Sequence, residues 1–235
     1  GSGETVDWLV EMRRLDRARM LDALLARGAA SEKALARIID LLAEFYAREP
    51  AAISDGATLE ARLRRQVAAN HQALQALEPE ASAQLLDSQL AFLDAHRAWI
   101  DLRTASGCVV EAHGDLRPEH ILVDDPPAVI DCLEFDRNLR ILDRAEELAF
   151  LELECARLGH AAQGQWLLQR CLDRLGDRIA TPMLSFYRSH RAATRAKLYA
   201  WRSLEADGGS PGEWRDKARS YLASALEDAR RATGS

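Results

Sequence analysis

The stretch from residue 107 to residue 135 constrains the fold most, because it breaks an otherwise helical pattern with three short β-prone runs. These are Cys108-Val109-Val110, Ile121-Leu122-Val123 and Ala128-Val129-Ile130, separated by loops rich in Gly, Asp and Pro. Runs this short predict hairpin-sized strands that depend on a helical body for their stability.

On both sides apolar residues return at helical period. Asp16 opens a short helical segment with Met20, Leu21, Leu24 and Leu25 on one face, and Gly28 is placed to end it. Ser31 starts a second helix that runs to about Arg48, with Leu35, Ile38, Ile39, Leu42 and Phe45 spaced for one face before Pro50. Residues 58–77 and 80–102 predict two longer helices, with Pro79 between them. After Asp143 the helical period continues to residue 158, then over 163–175, 182–204 and 213–232, with Gly176 and Asp207-Gly208-Gly209 as breaks. Residues 5–12 read as a strand with an unpaired edge. One strand, four helices, a small β insert and four helices predict an α+β fold that is predominantly α-helical.

Composition narrows the partners. A chain of 235 residues with 48% hydrophobic residues can bury a substantial core and is expected to fold as a soluble globule. A net charge of -6 lacks the broad positive field of a nucleic-acid or anionic-membrane binder, so no nucleic acid and no membrane are expected as partners. With no bilayer-length apolar run and no signal-peptide pattern, the expected location is cytoplasmic. Cys108, Cys132, Cys155 and Cys171 form no C-x-x-C pair and read as buried thiols of a reducing compartment.

The chemistry-bearing stretch reads His113-Gly114-Asp115-Leu116-Arg117-Pro118-Glu119-His120-Ile121-Leu122-Val123, then Val129-Ile130-Asp131-Cys132-Leu133-Glu134-Phe135. A hairpin formed by the second and third β-prone runs brings Asp115 and Asp131 to the same end of its strands. Two carboxylates there suit phosphoryl transfer, which needs an acceptor oxygen held in line and metal charge against the phosphate oxygens.

The pattern H-G-D-L-x-x-x-x-I-L followed by I-D-x-x-E resembles the catalytic and metal loops of the aminoglycoside phosphotransferase and choline kinase-like superfamily, which is protein-kinase-like. The resemblance implies a kinase-like helical C-lobe over residues 16–235, with a catalytic loop at 113–120 and a metal loop at 130–135. Residues 1–15 would then be a remnant of the N-lobe strand and hinge, with Glu11 and Met12 touching the adenine of ATP or GTP. It further implies Asp115 as the catalytic aspartate, Asp131 as a ligand of Mg2+ and His113 as a brace of the loop. Family members usually place Asn five residues after the catalytic aspartate as a second magnesium ligand, whereas this chain has His120, a softer nitrogen donor. The segment from Leu142 and Asp143 to Phe150 is similar to the family's D-P-x-x-D-L-A segment, which makes Asp143 a helix cap that steadies the active loop.

The expected function is ATP-dependent O-phosphotransfer to a small hydroxylated molecule. No Gly-rich phosphate loop or strand-borne Lys precedes Trp8, so the activity is expected to be incomplete in this chain, with a non-catalytic binding or regulatory module as the alternative. The 6–12 strand offers an edge for self-association or for an N-lobe partner.

Several residues carry two readings. His120 is either a hydrogen-bonded structural histidine or a metal ligand. Arg188, Arg191, Arg195 and Arg202 form one basic stripe after Pro182. The stripe is either a solvated face paired with acids such as Glu146, Glu147, Glu152 and Glu154, or an acceptor pocket for an anionic substrate. Glu134 reads as a salt-bridge partner or an outer-shell group and not a metal ligand, His71, His96, His160 and His190 read as surface or packing residues, and the tryptophans read as packing anchors.

Overall fold

Helices fill most of the computed structural model, which describes residues 14–53, 55–205 and 210–234. The expected strand at 5–12, with its hinge residues Glu11 and Met12, lies outside the described residues. Asp16 starts a 3-10 turn, Arg17–Arg19, by accepting from the Ala18 amide, and α1 (Leu21–Ala26) follows, with Gly28 at a φ of 64° after its end. Ser31 caps α2 (Glu32–Arg48) by accepting from the Ala34 amide. The buried face of α2 ends on Tyr46 and not on Phe45, as the spacing alone had it. Tyr46 is held inward by the bond its hydroxyl donates to Glu147, and Phe45 is left partly exposed beside a cavity.

Asp55 caps α3 (Gly56–Leu74) and Pro79 opens α4 (Pro79–Ala95). The single helix expected over 80–102 is two, because His96 leaves helical dihedrals at φ -123°, ψ 29° and α5 (Arg97–Ala105) restarts after it. The His96 ring folds back, donating from Nδ1 to the Phe92 carbonyl at 3.0 Å and packing against Phe92 and Trp99. A break made by one side chain leaves the apolar period intact, so the pattern does not register it.

Two small antiparallel pairs sit between the helical halves. β1 (Val109–Glu111) pairs with β4 (Ile141–Asp143), with Val109 opposite Asp143, and β2 (Ile121–Leu122) pairs with β3 (Ala128–Val129), with Ile121 opposite Val129. β4 is an addition to the expected order: three residues that lead straight into a helix are too short a run to stand out as a strand. Met20 bridges to Leu122 and the Val123 amide donates to the Arg19 carbonyl at 2.9 Å, so the described start of the chain packs on the hairpin.

The second helical half comprises α6 (Arg144–Arg157), α7 (Ala161–Leu175), α8 (Thr181–Arg202) and α9 (Pro211–Thr233). α6 is the axis of the fold: every residue from Ala145 to Cys155 is buried. One core joins it to α2, α7 and the strands, and a second joins it to α8 and α9, which pack closely through small residues such as Ala192, Ala196, Ala225 and Ala229. The acids expected on a solvated face are therefore inside, and each has a partner, as a buried charge requires. Glu146 meets His190, Glu147 meets Tyr46, Glu152 meets Arg188 and Glu154 meets Tyr221.

Candidate active site

The loop after β1 turns on Gly114, whose φ of 89° is open to glycine and strained for other residues. A Cβ there would also stand 2.9 Å from Leu133 Cδ1 and 3.1 Å from the Leu139 carbonyl. The turn is fixed from below by Glu147, one turn into α6. Its carboxylate accepts from the Gly114 amide at 2.5 Å, from the His113 amide at 3.1 Å and from the Tyr46 hydroxyl at 2.6 Å. Arg191 closes the turn from the other side, donating to the Gly114 carbonyl at 2.6 Å. Burial, and then the Glu147 charge, push the Tyr46 phenol well above its ordinary pKa, so it remains a donor.

His113 and His120 tie this loop to the one after β3. His113 Nε2 donates to the Ile130 carbonyl at 2.8 Å and its Nδ1 accepts from the Asp115 amide at 3.3 Å. His120 Nδ1 donates to the Asp115 carbonyl at 2.9 Å, and its Nε2 lies 3.0 Å from Arg117 Nη2 and 3.3 Å from Asp131 Oδ2. The Ile130 amide donates to the His120 carbonyl at 3.0 Å and the Leu133 amide to the His113 carbonyl at 3.2 Å. Asp115 and Asp131 thus face one another across His120.

The two aspartates differ in exposure and partners. The Asp115 side chain is 18% exposed; Arg117 Nε donates to its Oδ2 at 3.0 Å, and Arg195 Nη1 stands 3.9 Å from its Oδ1. Asp131 is the one described residue other than glycine with a positive φ, 64°, and its carboxylate is 74% exposed. Aspartate tolerates that left-handed geometry better than most residues, and such outliers gather at functional loops. Asp143 is fully buried: it caps α6 through the Ala145 amide at 2.8 Å, accepts two bonds from Arg103 at 2.6 and 2.7 Å and accepts one from Tyr187 at 2.8 Å. Burial opposes the Arg103 charge, but Asp143 and Asp177 raise its pKa above the ordinary guanidinium value.

The basic stripe of α8 divides into three roles. Arg188 is bound between α6 and α9 by Glu152 and Asp228, away from the loops. Arg191 supports Gly114, and Arg195 reaches Asp115. Burial works against the Arg195 charge, yet Tyr199, Asp115 and Glu154 hold its pKa above the ordinary value, and its Nε has no hydrogen-bond partner. These three are neither a solvated face nor one pocket.

Magnesium coordinates oxygen and commonly takes only one or two carboxylates, the rest coming from phosphates and water. The exposed Asp131 carboxylate fits that requirement. His120 does not, because Nδ1 is engaged by the Asp115 carbonyl and Nε2 faces Arg117, so the hydrogen-bonded reading is the one the geometry favours. Among the described residues no group of three or more His, Cys, Asp and Glu is arranged to hold a metal ion. Glu134 is exposed, as is Cys132, which departs from the expectation that all four thiols are buried. Cys132 lines an apolar cavity of about 430 Å³ beneath the loops, together with Phe45, Tyr46, His113, Leu116 and Val129.

Sequence reasoning missed Glu147, Tyr46 and Arg117 as members of this site. The available signal for Glu147 was an acid four residues after Asp143 on a helix whose other positions are largely apolar.

The chain is 31% identical to an uncharacterized protein of Mycobacterium tuberculosis over 204 residues, which cover 84% of this chain and 41% of that relative. An uncharacterized protein of Mycobacterium bovis matches with the same identity and coverage. The chain therefore spans less than half the length of these curated relatives. No solved structure matches it. No helix among the described residues is long and apolar enough to cross a membrane. The model of the phosphotransferase enzyme family matches residues 10–168, which include both loops, and the chain belongs to that family.

Proposed function

We propose that the two loops form the phosphoryl-transfer site of an ATP-dependent O-phosphotransferase acting on the hydroxyl of a small molecule. The observation that carries this reading is the placement of Asp115 and Asp131 on either side of His120, whose Nδ1 donates to the Asp115 carbonyl and whose Nε2 stands 3.3 Å from Asp131 Oδ2. In the reaction the acceptor oxygen bonds to the terminal phosphorus of ATP, the bond to the ADP oxygen breaks, and the hydroxyl proton passes to Asp115. Arg117 occupies Asp115 Oδ2, which leaves Oδ1 to orient the hydroxyl and take its proton. Arg195, beside Oδ1 and unpaired at Nε, supplies positive charge where the transferring group becomes anionic. Asp131 would hold magnesium, which neutralises phosphate oxygens when bound. Glu147, Arg191 and His113 keep the loop in place throughout, and Glu11 and Met12 would meet the adenine.

A non-catalytic binding module is the second reading, favoured by the ion pair that already engages Asp115 and by histidine at position 120. ADP release from Mg-ATP, measured over a panel of hydroxylated small molecules, separates the two. Transfer to at least one acceptor, falling about 10²–10⁴-fold in Asp115→Asn, supports the enzyme. No transfer to any acceptor, or transfer equal in Asp115→Asn, contradicts it.

A further inference from the structure

A second concave site lies between α3, α8 and the turn that precedes β4, with a volume of about 600 Å³. It is lined by Arg62 and Arg65 of α3, Arg137 of the turn and Lys197 of α8, and by no acidic residue. That is unexpected in a chain where 37 Asp and Glu outnumber 31 Lys and Arg. No residue of 113–120 or 130–135 lines it, so it is separate from the loops described above.

The charge there is largely uncompensated. Arg137 is paired with Glu111 at 2.6 Å, but among the described residues no carboxylate lies within ion-pair distance of Arg62, Arg65 or Lys197. Arg62 donates instead to the backbone carbonyl of Asn138, and the Lys197 ammonium lies over the Trp201 ring at 5.3 Å. Glu146, a buried acid whose charge reaches Arg62, is itself engaged by His190 at 3.2 Å. Burial, and then Arg191, hold the Lys197 amine below its ordinary pKa. Burial, and then Arg191 and Arg65, do the same to Arg62 despite Glu146 and Asp136. Cations left in this state are stabilised by an incoming anion.

We propose that this groove binds a phosphate-bearing small molecule. Guanidinium forks match phosphate oxygens two at a time, and two such forks with an ammonium suit a dianion better than a single carboxylate. The groove is of ligand size, and Ile53 and Ile141 give it an apolar wall against which an organic portion can lie. Because the loops contribute nothing to it, the site stands or falls independently of the phosphotransfer reading.

The test is calorimetric titration of the chain with inorganic pyrophosphate, without magnesium and at constant ionic strength. Arg65→Gln, at an exposed helical position that leaves folding intact, and Lys197→Met are each expected to weaken binding about tenfold, the loss of one charge-assisted contact. Arg117→Gln, which removes a cation beside Asp115, is expected to change it less than about twofold. Binding lost in Arg117→Gln and unchanged in Arg65→Gln would place the anion at the loops and overturn the proposal, as would the absence of binding at millimolar pyrophosphate.

Discussion

The Gly114 amide donates to the Glu147 carboxylate at 2.5 Å, and through that bond the central helix sets where Asp115 stands. Glu147 also receives the His113 amide and the Tyr46 hydroxyl, so one buried carboxylate satisfies donors from two separate elements. Glutamine at this position keeps the shape but loses the charge and one acceptor oxygen. Glu147→Gln is expected to cost about 2 kcal/mol, and Tyr46→Phe about 1 kcal/mol, in urea unfolding. The double variant should lose less than the sum, since the two share one hydrogen bond. Strict additivity would show that the bond contributes nothing.

Much of this arrangement was legible in the sequence, and the reasons differ by element. Ser31 and Asp143 announced their helices because capping is a local interaction between a side chain and amides two or three residues on. The loops at 113–120 and 130–135 were legible because turn residues and short β-prone runs sit together. Glu147 was not, since its partners lie 33, 34 and 101 residues away in sequence and an acid on a helix is ordinarily solvated. The basic groove was missed for the same reason: Arg62 and Lys197 meet only through the packing of α3 on α8. The stripe at 188, 191 and 195 was visible by period, but period does not show that each member is consumed by a different neighbour.

Arg103 links Asp143 to Asp177 in the interior, with Arg144 donating to Asp177 at 2.7 Å. Asp143→Ala leaves the Arg103 charge short of one partner, strands the Tyr187 hydroxyl and removes the cap of α6. It is expected to cost about 3–5 kcal/mol, the range for breaking a buried pair. Denaturant unfolding measures it, and a loss below about 1 kcal/mol would show that Asp177 alone compensates Arg103.

The cysteines differ in environment, which gives a pH dependence with a definite sign. Burial pushes the Cys155 and Cys171 thiols from 9.0 up to about 12. Between those values the unfolded chain releases protons that the folded chain retains, so stability is complete below about pH 9 and falls as pH rises toward 12. Urea midpoints at pH 8, 10 and 11 should show that fall, and it should be shallower in Cys171→Ala. In the native state a thiol reagent should modify Cys132 rapidly and the buried Cys108, Cys155 and Cys171 only on unfolding.

The most direct test of the account is calorimetric titration of the chain with Mg-ATP, beside Asp131→Asn and beside ATP without magnesium. Asparagine tolerates the left-handed backbone at 131, where φ is 64°, so this variant removes the carboxylate while keeping the loop. Mg-ATP is expected to bind the unsubstituted chain, and that binding is expected to be lost both in Asp131→Asn and without magnesium. Binding that is indifferent to Asp131 and to magnesium, or no binding at millimolar nucleotide, would contradict it.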